Sequence, residues 1–392
     1  YPFYEILPVK SNSGNWLVNG GKTNTADIPS LVSTLLTWER VRSFNVGFDF
    51  GAFSNRLTGS FDYFVRKTVD MVGPAPQLPL VLGIAPAIVN NADMKSYGFE
   101  IELSWRDRIG EVDYGVKFNL ADAQQKVVKY PNTTNAFSDW YAGKMSGEIW
   151  GYTSLGIAKT DEEMKEHLAS LPNGGQNQLG NKWGAGDIMY ADINGDGKID
   201  GGKGTLADPG DQRIIGNSTP RYNFGLVLDA SYKGFDVSIF FQGVGKRDYA
   251  PIVGTNGAVF WGAVNNIWQS MAMEEHFDYF RPEGHPMGAN LNGYYPRPDF
   301  TSNKNHQVQT RYLQDASYIR LKNLQIGYTL PKQWINKLHI NRCRVYVSGD
   351  NLWTGTSLAS MFDPETLAAG DWGSGKTYPL SKVISFGLNV NF

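Results

Sequence analysis

Asp192, Asn194, Asp196 and Asp200 sit at odd-numbered offsets in YADINGDGKID, residues 190–200, and Gly197 holds the sixth place, where a calcium loop must turn sharply. Oxygen donors at that spacing suit a hard divalent cation. An EF-hand would add a Glu at the twelfth place and a helix on each side. Here the twelfth place is Lys203, and the approach DIMYAD has no helical period, so this is no EF-hand. Its role depends on the elements that carry it.

Other chemistry has little support. His167, His276, His285, His306 and His339 show no metal-binding spacing, and the chain carries neither a nucleophile elbow nor a Gly-rich phosphate loop. Carboxylates are plentiful, but nothing in their spacing singles out an acid and a base. The chain reads as a non-enzyme.

The 392 residues are 41% hydrophobic and 13% aromatic, with 44 Gly, 19 Pro and only 19% charged, a composition of strand and turn formers. A net charge of -2 without a basic cluster argues against nucleic acid as a partner. The single cysteine, Cys343, can form no internal disulfide. No run of 18 apolar residues exists, which excludes a transmembrane helix but not a membrane barrel, whose signal is alternation.

Alternation is what the chain shows. In SFNVGFDF, Phe44, Val46, Phe48 and Phe50 share one face, and in SYGFEIELSWR Tyr97, Phe99, Ile101, Leu103 and Trp105 oppose Gly98, Glu100, Glu102, Ser104 and Arg106. In RYNFGLVLDASYKGFDVSIFFQG, Phe224, Leu226 and Leu228 continue after the Lys233-Gly234 turn as Phe235, Val237, Ile239 and Phe241. Nine strands are predicted, near residues 41–50, 57–67, 97–106, 111–121, 222–232, 235–245, 317–330, 341–353 and 380–392. Connectors 51–56, 107–110, 233–234 and 331–340 are short, whereas 68–96, 122–221, 246–316 and 354–379 are long. Strands of about ten residues with short turns on one rim and long loops on the other predict an all-β fold, a transmembrane antiparallel β-barrel with periplasmic turns and extracellular loops. Asn45, Asp49, Glu100, Glu102, Asp113, Lys117, Asn119, Asp229 and Asp236 would line its inward face. Nine is odd, whereas single-chain bacterial barrels close with an even number, so another polypeptide or an upstream part of the same one is expected to complete the wall.

Six blocks in order carry a family resemblance: TWERVRSFNVGFDFGAFSNRLTGSFDYFVRKTVDMV, NADMKSYGFEIELSW, DIMYADINGDGKID with DQRIIGNSTPRYNFGLVLDASYKGFDVSIFFQG, DASYIRLKNLQIGYTLP, RVYVSGDNLW with FDPE, and YPLSKVISFGLNVNF. From Trp38 to Phe392 the chain resembles the C-terminal part of SusC/RagA-type TonB-dependent transporters. The alternation in KVISFGLNVNF, ending on Phe392, is similar to the signal by which outer-membrane barrels are recognised for insertion. The resemblance implies that residues 1–392 are the C-terminal part, about nine strands, of one 22-stranded barrel, with the plug and first strands outside this chain. It implies a bacterial outer-membrane protein with its C-terminus periplasmic. The implied function is TonB-dependent import of oligosaccharide or oligopeptide cargo together with a SusD-like surface lipoprotein, with TonB engaged through the plug. A secreted calcium-stabilised carbohydrate-binding β-protein is the alternative.

In relatives the loop usually runs from the position of Asp200 directly into a further acidic residue, whereas this chain inserts GGKGTLADPG. The expected calcium site therefore comprises Asp192, Asn194, Asp196 and Asp200, Lys198 through its backbone carbonyl, and Asp211 as the closing carboxylate, with Asp208 as its rival. TDEEMKEHLASLPNG, residues 160–174, predicts a helix capped by Thr160 with Glu163 at the reciprocal position, and a second helix is expected near AVNNIWQSMAMEEHF. Trp140, Trp150, Trp183, Trp261, Trp268, Trp353 and Trp372 fall in or beside the long loops, where packing of loop on loop is the expected role and stacking on sugar rings the alternative.

Overall fold

The computed structural model describes residues 7–29, 31–33, 36–75, 81, 86–251, 258–262, 273–299, 302–367 and 377–392. Its frame is one nine-stranded antiparallel sheet: β1 (Arg40–Ala52), β2 (Leu57–Val72), β3 (Asn90–Ile109), β4 (Val112–Lys129), β5 (Arg221–Tyr232), β6 (Phe235–Lys246), β7 (Tyr318–Thr329), β8 (Arg342–Thr356) and β9 (Val383–Asn391). Each strand pairs with its neighbours in sequence, so the sheet is an up-and-down meander with β1 and β9 at its edges. Lys233 and Gly234 adopt positive φ in the two-residue turn between β5 and β6, the geometry that closes such a hairpin with the right twist.

Register confirms the two faces. Asp49 pairs with Ser60, Ser60 with Glu102 and Glu102 with Asn119, which places these polar residues in one row. Lys117 opposite Val227, Asp229 opposite Gly115, and Ser231 opposite both Asp113 and Asp236 extend that face. All nine expected polar positions lie on it. Phe224, Leu226, Ile239 and Phe386 lie on the other face and join no common core; Phe386 is 85% exposed and Phe44 61%. A soluble sandwich would bury such a row, whereas a barrel turns it outward.

The strands are longer than their alternation predicts. β3 has 20 residues and β4 18, and both run beyond the apolar segment into NNADMKS and AQQKVVK. At about 3.3 Å per residue, β3 spans roughly 65 Å, more than a tilted strand needs to cross a 30 Å hydrocarbon layer. Beyond that layer water wets both faces and alternation is no longer required, so the pattern stops before the ladder does. β9 in turn starts at Val383, three residues later than expected. Bulges mark the same rim: register slips at Asp70 in β2 and Asn351 in β8, both with positive φ.

The long connectors condense into a second layer on one rim. It holds three small ladders, Glu148–Gly151 with Arg213–Asn217, Ser154–Ile157 with Ile188–Tyr190, and Asp248–Tyr249 with Gln314–Asp315. Helix α1 (Asp161–Ala169) begins as expected, with Thr160 Oγ1 accepting the Glu163 N–H at 3.1 Å. Glu163 accepts from Lys159, one residue before the cap, and the helix ends at Ser170, short of Gly174. The expected second helix falls mostly outside the described residues; its described end, Glu274–Phe277, is a 3-10 turn.

Close packing within the wall yields a test. A Cβ on Gly98 would overlap the Asp122 carbonyl oxygen and come within 3.0 Å of the Phe64 ring, so backbone as well as side chain would have to move. Gly98→Ala is expected to destabilise the wall by about 1–3 kcal/mol, measured as the urea midpoint of detergent-solubilised full-length protein. An unchanged midpoint would show that the sheet yields at this point without cost.

Candidate functional site at the loop-covered rim

The loop that opens the sequence analysis is built from side chains folded back on their own backbone. Asp192 accepts the N–H groups of Gly195 (2.7 Å) and Gly197 (2.8 Å), Asn194 accepts that of Asp196 (3.0 Å), and Asp196 accepts that of Lys198 (3.1 Å). Gly195 and Gly197 adopt the positive φ that the turn requires. Asp211 reaches in from the far side of the insertion, accepting from Ile193 (2.8 Å) and Asp200 (2.9 Å). Asp200 faces the Lys198 ammonium at 2.6 Å. Lys198 thus contributes its charge to Asp200 as well as its place in the turn. That ammonium holds the Asp200 carboxyl below the usual range, while burial pushes Asp211 up against its three backbone hydrogen bonds. The rival, Asp208, closes the insertion through its backbone carbonyl, which accepts from Lys203 and Thr205.

Asp192, Asn194 and Asp196 are therefore brought into one turn, with Asp211 bracing it and Asp200 turned to Lys198. Among the described residues no group of three or more His, Cys, Asp or Glu side chains is gathered to hold a metal. The donor types suit a hard cation, whereas the arrangement satisfies them with backbone N–H groups. The inserted residues 201–210 begin and end at one point: the Asp211 N–H donates to the Asp200 carbonyl at 2.9 Å, and Gly202 and Gly210 pack backbone to backbone.

Beneath this loop lies the apolar core of the rim. Phe260, Trp261, Tyr295 and Tyr312 meet edge to face or stacked, with Trp261 4.9 Å from Phe260 and 4.8 Å from Tyr312. Tyr152, Tyr190, Tyr249, Leu358 and Phe362 join from other connectors. The expected Trp roles divide accordingly. Trp261 is fully buried, Trp183 packs against Tyr190, Trp150 stacks on Phe137 at 4.6 Å, and Trp140 lies edge-on to Tyr130. Trp353 is 52% exposed on β8, and Trp268 and Trp372 lie outside the described residues.

One buried ionic group locks the connectors together. The carboxylate of Asp187, without solvent exposure, accepts from Arg297 (2.9 and 2.7 Å), Lys304 (2.9 Å), Asn305 (2.9 Å) and the Gly184 N–H (2.9 Å). Lys304 is equally buried and also donates to the Asn181 and Lys182 carbonyls. Buried charges persist only when so paired, and removal of one partner typically costs several kcal/mol. Nothing in the sequence marked this group, because the side chains of Arg297, Lys304 and Asn305 lie more than 100 positions from Asp187.

The polar face of the wall opens below this layer. An open concavity of about 540 Å³ is lined by Asp49, Ser60, Glu102, Lys117 and Asn119 among others. The polar lining of this concavity suits a polar solute.

The family model described as TonB dependent receptor-like, beta-barrel matches residues 7–352. The chain is 28% identical to TonB-dependent receptor P3 of Formosa agariphila, over 99% of this chain and 38% of that protein. It is 21% identical to TonB-dependent receptor SusC of Bacteroides thetaiotaomicron, over 93% of this chain and 33% of that protein. The chain thus spans well under half the length of these curated relatives. Among solved structures it is similar to the RagAB peptide transporter, with a TM-score of 0.71 and 23% identity over 100% of this chain and 39% of that one. The open-open state of the RagAB peptide importer gives a TM-score of 0.64 at 22% identity, over 100% of this chain and 38% of that one.

A pH test follows from His306. It is buried against Trp261, 4.4 Å between rings, and burial lowers its imidazole from 6.5 to about 3, against the opposing pull of Asp299. A base whose folded value is depressed stabilises fully above its unfolded value, and that stability is lost as pH falls toward 3. By pH 5 the loss is expected to be about 2 kcal/mol, read as a lower amide protection factor, the exchange rate being taken relative to the unprotected rate at each pH, across residues 304–312. His306→Leu should remove this pH dependence; an unaltered profile would refute the assignment.

Proposed function

Because the chain belongs to the TonB dependent receptor-like β-barrel family, whose members are outer-membrane transporters, we propose that it forms the C-terminal wall and extracellular cover of an importer for glycan or peptide fragments. The observation that carries this reading is the wall itself: one polar face, one apolar face, and long connectors folded over one rim only. The likeness to SusC and to the RagAB peptide transporter supports a nutrient cargo and a SusD-like lipoprotein as partner. Energy would come from TonB, acting on a plug within the remainder of the barrel. β1 and β9 have no outer partner strand among the described residues, and unpaired edges are not viable in lipid, so further strands complete the wall. Membership of a transporter family leaves the secreted carbohydrate-binding module without a supporting observation.

The acidic loop is proposed as a structural calcium site. Its support is the all-oxygen donor set of Asp192, Asn194, Asp196, Asp200 and Asp211, the Lys198 carbonyl and the sharp turn at Gly197. Binding would draw carboxylates now satisfied by backbone N–H groups toward one centre and stiffen the rim.

Two experiments test these readings. Cells producing the full-length protein should accumulate labelled oligosaccharide or oligopeptide only while TonB is intact; uptake that persists without TonB overturns the import mechanism. Calcium at about 100 times its dissociation constant should stabilise the rim by about 2.7 kcal/mol, lost in Asp192→Ala, as read by amide exchange across residues 190–212. Equal protection with calcium and with chelator removes the calcium assignment.

A further inference from the structure

The FDPE turn, one of the blocks that carry the family resemblance, has a position in the structure that the import reading does not explain. Arg320, on the polar face of β7 opposite Gln242 and Thr354, is 3% exposed. Its guanidinium donates to Asp363 (2.7 Å), Glu365 (3.0 Å) and Thr354 Oγ1 (2.8 Å). Lys322 donates to the same Glu365 carboxylate at 2.6 Å, and the Tyr318 hydroxyl to its other oxygen at 3.3 Å. Two carboxylates thus meet two cations in a nearly dry site. Asp363 also accepts the N–H groups of Glu365 (3.0 Å) and Leu380 (3.1 Å), so it pins both arms of the β8–β9 connector. The residue just before this charged turn points into different chemistry: Phe362 is buried in the aromatic core of the rim, 5.4 Å from Tyr249 and 6.3 Å from Phe260. Arg247, where the next long connector leaves β6, donates to the Pro364 and Leu367 carbonyls.

We propose that Phe362–Glu365 is a latch that fastens the loop cover to the polar wall through Arg320 and Lys322, and that its release opens the mouth of the lumen. A guanidinium fork held by two carboxylates is directional, so it fixes where the turn sits, whereas aromatic packing alone allows the turn to slide. The wall end is ionic and the cover end apolar. The turn can therefore leave the wall while Phe362 keeps its place in the core, and the cover moves as a unit. Arg320 is in this account a positioning residue. The proposal deepens the import reading and rests on it for the meaning of the lumen, but not for the latch itself.

The test uses the full-length protein, with heat-modifiable migration on gels as the control for a folded barrel. Asp363→Asn with Glu365→Gln, and Arg320→Gln, should each raise amide exchange of residues 357–367 by about 10-fold or more, while β7 and β8 keep theirs. Ion conductance in planar bilayers should rise in the same variants. Arg320→Lys, which keeps the charge and loses the fork, should recover part of the protection. Arg320→Gln combined with Asp363→Asn and Glu365→Gln leaves only the Lys322 ammonium charged, and its side chain is 27% exposed; if this triple variant exchanges like the wild type, packing rather than the ionic fork holds the turn and the latch is wrong. Exchange that rises equally in β7 and β8, or loosening without a rise in conductance, also overturns it. Wild-type protein that imports nothing would instead defeat the import reading, and the exchange result would stand apart from it.

Discussion

A backbone surrounded by hydrocarbon has no water to pair with, so each N–H and C=O must find its partner in a neighbouring strand. The continuous antiparallel ladder from Arg40 to Asn391 answers that requirement, and the rest of the molecule follows from it. Pairing fixes register, register fixes which side chains share a face, and a barrel wet inside and greasy outside needs opposite chemistry on the two. The row from Asp49 through Ser60 and Glu102 to Asn119 and the exposed row of Phe44 and Phe386 are two readings of one set of hydrogen bonds.

Above the rim the constraint is reversed. The connectors stand in water and receive no help from lipid, so they must build an interior of their own. Aromatic rings supply most of it, and each phenol still requires an acceptor or donor: the Tyr190 hydroxyl donates to the Lys304 carbonyl at 2.7 Å and that of Tyr312 to the Tyr294 carbonyl at 3.0 Å. Burial pushes the Tyr190, Tyr295 and Tyr312 phenols further above their ordinary value of 10, so they stay protonated into more alkaline solution. Asp187 with Arg297 and Lys304 adds direction to this core. Greasy rings tolerate many packings, whereas a carboxylate with five fixed donor contacts tolerates one.

Legibility in the sequence followed the same division. The wall was readable because a period of two needs only neighbours: SFNVGFDF and RYNFGLVLDASY announce their faces without knowledge of any other segment. Strand ends were less readable, since NNADMKS continues β3 where solvent no longer enforces alternation. Helix α1 was readable through Thr160 and Glu163, a purely local device, although Gly174 suggested too late an end. The rim core was not readable, because Ile188 meets Asn305 and Arg320 meets Asp363 across gaps that no local pattern spans. The acidic loop lies between these cases. Its turn was visible in Asp192, Asn194, Asp196 and Gly197, whereas the turning of Asp200 toward Lys198 depends on side-chain rotamers that spacing does not encode.

The ten residues 201–210 leave and re-enter the rim at a single point, where Asp200 and Asp211 are hydrogen-bonded backbone to backbone and Gly202 lies against Gly210. A loop whose ends already touch has its closure entropy set at the neck, so its length scarcely matters to what lies below. That makes the neck a natural graft point: an epitope tag or display peptide spliced between Gly202 and Gly210 would ride outside the cell without disturbing the ladder, the aromatic interior or the lumen.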